Sequence, residues 1–161
     1  MRVYVPSTPV RLAAVHREGG IGPAPLSAFA VTSGLGAWCG TEDPEELEYA
    51  AALLAGRAAL GLAAQEPRDP EARARRVVLA ADVPDGIVSE VPDLGPGAVV
   101  VDGTIPVKRI AAIHMDAEDA EADVRAALPA EPGAEPDEAL VEALEEHELL
   151  WFARQELADL L

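Results

Sequence analysis

The stretch Asp43–Gln65, DPEELEYAAALLAGRAALGLAAQ, decides the fold. It has a start, a pattern and a stop. Asp43 suits an N-cap, Pro44 suits the first helical turn, and Glu46 lies three residues after Asp43, where a capping-box partner belongs. Glu45, Glu46 and Glu48 bring negative charge to the positive end of the helix dipole. Leu47, Ala51, Leu54, Ala58 and Leu62 form one apolar stripe; Tyr49, Leu53 and Leu60 form a second. A helix with two apolar faces is expected to pack on two sides. The reading is therefore a central helix over 43–65, crossing a sheet, with something else against its second stripe.

Outward from that helix, strands are expected at Val3–Pro6, Leu26–Thr32, Arg75–Val83, Ile87–Val91, Ala98–Val101 and Ile110–Met115. RRVVLAADV is the clearest, with a continuous apolar run that fits an interior strand. Helices are expected over Pro9–Arg17, Glu118–Leu128 and from Asp137. Ser33–Glu42 reads as a loop or a frayed helical turn, Thr104–Arg109 as a connection, and 129–136 as a flexible acidic linker. The tail HELLWFARQEL breaks into a strand at Leu149–Ala153 and a final helical turn from Gln155, which sends Trp151 and Phe152 to opposite faces. The expected fold is α/β (or α+β): one domain, 1–161, with helices on a mixed sheet of about five to six strands.

The chain carries 29 acidic and 12 basic residues, a formal net charge of −17. Such a charge repels phosphate backbones and anionic lipid surfaces, so neither nucleic acid nor a membrane is an expected partner. Cys39 is the one cysteine, which excludes an internal disulfide and a cysteine zinc cluster. No apolar run long enough for a membrane helix is expected, and MRVYVPSTP lacks the features of a signal peptide. The expected location is cytoplasmic. Eleven arginines against one lysine, with abundant Ala, Gly and Pro, suggest a high-GC bacterial genome.

No catalytic motif is complete. Asp82, Asp85, Asp102 and Asp116 follow strands, where α/β proteins place ligands, although Asp is also common in turns for local hydrogen bonding. His114 and Asp116 fall on one face of a strand and offer an imidazole beside a carboxylate; with Asp82 they are the weak catalytic or metal candidates. Arg75-Arg76 and Lys108-Arg109 offer an anion site if they converge, or ion pairs if they do not. Ser33-Gly34-Leu35-Gly36 lacks the patterns of a phosphate loop. Trp151, Phe152 and Tyr49 are the interaction candidates, since aromatic side chains anchor interfaces. No cofactor is expected. The function these features favour is non-enzymatic, through contacts with a protein partner or a second copy of the chain; the alternative is a small enzyme or a metal- or anion-binding protein using His114 and the strand-end carboxylates.

The pieces MRVYVP, AFAVT, EELEYAA, RRVVLAADVP, AAIHMD and HELLWFARQEL resemble a family of uncharacterised actinobacterial proteins classed as a domain of unknown function. The resemblance implies a cytosolic bacterial protein and no particular activity. Relatives carry Tyr-Ala-Pro where this chain has Phe152-Ala153-Arg154; a proline there would enforce the break near residue 153.

Overall fold

The computed structural model describes all 161 residues. In chain order it contains β1 (Arg2–Ser7), α1 (Pro9–Glu18), β2 (Gly20–Ile21), β3 (Leu26–Ala30), α2 (Ser33–Cys39), α3 (Pro44–Gln65) and β4 (Val77–Asp82). There follow β5 (Val88–Glu90), β6 (Ala98–Val101), β7 (Ile105–Pro106), β8 (Ile110–Asp116), α4 (Glu121–Ala127), α5 (Glu138–Leu144), β9 (Leu149–Phe152) and a closing 3-10 segment, Arg154–Leu160.

Seven strands form one sheet in the order β5-β6-β3-β1-β4-β8-β9, and β2 pairs with β7 apart from it. This is more strands than the five to six expected, and every pairing is antiparallel rather than mixed. The alternation of strand and helix early in the chain suggested a mixed sheet. The reason it misled lies in β1, which sits between β3 and β4 and runs opposite to both. Thus β3 and β4 are parallel but not adjacent, and α2 and α3 carry the crossover between them above β1.

α3 forms for the reasons its sequence gives. Asp43 Oδ1 accepts the backbone N–H groups of Glu45 and Glu46 at 2.9 and 3.3 Å, and Pro44 opens the helix. The face laid on the sheet is Leu47, Ala51, Ala55 and Ala59, which drifts from the expected stripe at Leu54. Alanine there keeps side-chain bulk low, so the helix packs directly on β1, β3 and β4. It meets Tyr4, Val78, Ala80 and Ala112, the residues that point to this face. The opposite face of the sheet, from Val3, Val5, Leu79, Ile113 and Met115, packs under α1 and Leu157 of the closing segment. β4 is buried from Val77 to Ala81, as expected of an interior strand.

The second stripe of α3 divides. Leu60 is covered by Val124 and Ala127 of α4 and by Val141 and Leu144 of α5. Tyr49 and Leu53, three and two turns earlier, stay 57% and 39% exposed. By length and composition α3 is apolar enough to cross a bilayer, contrary to the expectation that no segment is; in this fold one apolar face lies on the sheet and Leu60 of the other lies under α4 and α5.

Of the two readings for this stretch the helical one holds, as a capped helix rather than a frayed turn, Ser33–Cys39: Thr32 caps it through Leu35 N–H, and Gly40 ends it with a left-handed φ of 70°. The tail breaks as expected, without a proline. Leu149–Phe152 pairs with β8, and Glu156 folds back so that its carboxylate accepts Ala153 N–H at 2.7 Å.

Two substitutions in α3 test this packing. Ala55 is fully buried against the sheet, so Ala55→Leu is expected to overpack it and cost about 1–3 kcal/mol in urea unfolding. A methyl at Gly61 meets nothing within 4 Å, so Gly61→Ala is expected to stabilise by about 0.5–1 kcal/mol.

Candidate functional site

α3 packs mainly on β3, β1 and β4 and touches Ala112 of β8 and Leu149 of β9, which leaves a hollow on the same face of the sheet beside His114 and Trp151. A trough of about 450 Å³ runs there. Its floor is Tyr4, Ala80, Ala112 and His114, from β1, β4 and β8. α3 supplies one wall with Glu45, Glu48, Tyr49 and Leu53. β9 supplies the other with Trp151, which stands opposite His114 in the strand register and is 63% exposed. Glu145, His147 and Glu148, in the turn between α5 and β9, close one end.

Alternation along β9 sorts the tail aromatics. Trp151 enters the trough, whereas Phe152, opposite Ile113, packs against the core on the other face. Of the three interaction candidates, Tyr49 and Trp151 therefore share one site and Phe152 does not.

The three weak catalytic candidates do not converge. His114 and Asp116 lie on the same face of β8, but Asp116 is buried and committed to Arg76. Arg76 Nε and Nη2 donate to Asp116 Oδ2 and Oδ1 at 2.9 and 2.8 Å, and the Arg76 backbone N–H donates to Oδ2 at 2.7 Å. Arg76 Nη2 also donates to the His147 carbonyl at 3.1 Å, tying the trough's closed end to the sheet. Asp82 sits at the opposite end of β4, where Arg2 grips it by Nε and Nη2 at 2.8 and 3.0 Å. The hydrogen bond from Arg2 holds the Asp82 carboxyl below its ordinary range. The strand-end aspartates do not meet: antiparallel neighbours β4 and β8 send Asp82 and Asp116 to opposite ends of the sheet, and Asp102 follows β6, four strand positions from β8. No group of three His, Cys, Asp or Glu side chains has the arrangement of a metal site.

Arg75 and Arg76 are ion-paired separately, with Glu121 and Asp116, so they make no joint anion site. The Ser33-Gly34-Leu35-Gly36 segment opens α2, where the Thr32 hydroxyl already accepts Leu35 N–H. His147 Nε2 lies 2.7 Å from Asp123 Oδ2.

Burial pushes the His114 pKa below its ordinary value, and the positive charge of Arg2 adds to the effect. Burial raises the Tyr4 phenol, with Glu48 reinforcing the shift. At neutral pH the floor of the trough therefore carries a neutral imidazole and a protonated phenol. The trough was only half visible in the sequence. Tyr49 and Trp151 stood out as aromatics, but Tyr4 and the glutamates of α3 read as ordinary strand and helix-start residues.

Over residues 1–161 the chain matches DUF6912, a family of unknown function. It belongs to that family. No curated protein and no solved structure matches it. For DUF6912 this chain thus offers a site to test, the trough between Tyr49 and Trp151.

The two arginine–aspartate pairs are expected to differ sharply in energy. Asp116→Asn strands a buried guanidinium and is expected to cost about 3–5 kcal/mol in urea unfolding. Asp82→Asn breaks a half-exposed pair and is expected to cost under about 1 kcal/mol.

His114 gives a pH signature. A histidine whose folded pKa lies below its unfolded value, near 6.5, stabilises the fold above that value. Stability is then lost as pH falls from the unfolded pKa to the folded one. His114→Gln is expected to flatten this decline in unfolding curves taken from pH 7.5 to pH 5. His16 and His147 remain in both proteins, so the difference belongs to position 114.

Proposed function

We propose that this protein is a non-enzymatic interaction protein that holds a segment of a protein partner in the trough between α3 and β9. The observation that supports this is the pairing of two well-exposed aromatic side chains, Tyr49 and Trp151, in one hollow over an uncovered part of the sheet. Large exposed aromatics beside an apolar floor are costly to leave in water and are the usual anchors of interfaces. The rival reading, an enzyme or metal protein using His114, Asp116 and Asp82, lacks comparable support. Both carboxylates are held by arginines at opposite ends of the sheet. A second copy of the chain is the less favoured occupant, because each copy brings a net charge of −17. The cytoplasm, without nucleic acid or a membrane as partner, suits that charge.

Site-directed photocrosslinking in the native cell tests the proposal. A photoreactive residue at Leu53, in the trough wall, is expected to trap a discrete protein adduct. The same residue at Leu94, 70% exposed in the loop between β5 and β6 near the far edge of the sheet, is expected to trap none. Equal trapping at both positions, or none at Leu53, would refute the trough as the docking site.

A further inference from the structure

We propose that the segment held in the trough is basic, with an arginine or lysine side chain lying against Tyr49 and Trp151, and that the segment's positive charge is met by Glu45 and Glu48 toward one end of the trough and Glu148 at the other. This rests on the reading of the trough as a partner-binding site and names the chemistry of the occupant.

The charge inventory selects the sign. Two cations reach the trough, Arg2 and Arg76, and both are engaged, by Asp82 and Asp116. Four glutamates line it. Glu145 has Arg57 at 3.7 Å, but Glu45, Glu48 and Glu148 have no ion pair and no side-chain hydrogen bond within the chain. The unmatched charge of the hollow is therefore negative. Glu48 lies close enough to disfavour ionisation of Tyr4, which places its charge over the floor. The surrounding surfaces are two exposed aromatic rings and small apolar residues, Ala80 and Ala112.

Those two features together describe a receptor for an organic cation. An aromatic face attracts a guanidinium or ammonium through its quadrupole, and the apolar floor accepts the methylene stem. Carboxylates at the rim then supply charge-assisted hydrogen bonds. An anionic segment would meet three unpaired carboxylates at close range, and a neutral one would leave them without partners.

The test uses Trp151 as its own reporter. The chain has two tryptophans, so Trp38→Phe leaves the trough indole as the only one. Into this protein is titrated an acetylated, amidated pentapeptide of alternating glycine and arginine. Its glutamine and glutamate counterparts serve as controls. The expected result is a saturable change in Trp151 fluorescence with the arginine peptide alone, weakening as salt is raised.

Diffuse attraction of a cation to an acidic protein is separated from a built site by two variants, each checked for folding by circular dichroism. The triple variant Glu45→Gln/Glu48→Gln/Glu148→Gln is expected to weaken binding at least about tenfold. Tyr49→Ala leaves the charge unchanged and is expected to weaken it about fivefold. Equal binding of the glutamine peptide, or unaltered affinity in Tyr49→Ala, would overturn the proposal. A crosslink at Leu53 with no arginine-peptide binding would sink the basic-segment inference and leave the docking site standing. Peptide binding with no crosslink at Leu53 would sink the docking of a cellular partner, and with it the basic segment, and leave the trough only as a site that takes an organic cation.

Discussion

The alanine face of α3 is the constraint on which the rest of the structure depends. Ala51, Ala55 and Ala59 let a long helix settle directly onto the sheet, over β3, β1 and β4. That placement follows from connectivity, because α3 has to span from β3 to β4 across β1. One helix cannot cover seven strands. α2 extends the cover beside α3, and α4 with α5 cover its C-terminal half, but past Ala112 and Leu149, which α3 reaches, His114 and Trp151 of the outer strands line an open hollow on this face. The trough is what remains when a single crossover helix roofs a sheet wider than itself.

Electrostatics then finish the site from both ends. The Arg76–Asp116 pair is fully desolvated and ties β4, β8 and the turn at His147 together, which fixes the closed end of the trough. The Arg2–Asp82 pair does the same at the other end of the strands with much more water around it. Both pairs consume the cations that would otherwise balance the glutamates of α3 and of the turn before β9. A strongly acidic chain thereby concentrates unmatched negative charge beside two exposed aromatic rings, rather than only spreading it over its surface.

Local signals were legible in the sequence wherever one residue type has one physical use. The cap at Asp43, the start of α1 at Pro9, the buried run at Val77 and the break before Leu149 all sit where the chain says they should. What escaped was everything that depends on strand order. β1, inserted between β3 and β4, turned an expected mixed sheet antiparallel and sent Asp82 and Asp116 to opposite ends. The helix at Ser33 was hidden by its two glycines, which weaken helix propensity and are offset by the Thr32 cap and the buried Leu35. Of the site, the aromatics were visible and their company was not, since Glu45 and Glu48 also have an ordinary role at a helix start.

The central claim is that the trough between α3 and Trp151 is open in the free protein and leaves the Trp151 indole in solvent. Acrylamide quenching of Trp151 in the Trp38→Phe protein measures this directly. The expected result is red-shifted emission and efficient quenching, as for an indole in water. A blue-shifted, quench-resistant Trp151 would contradict it, by showing that the helix, or a second copy of the chain, already covers the trough.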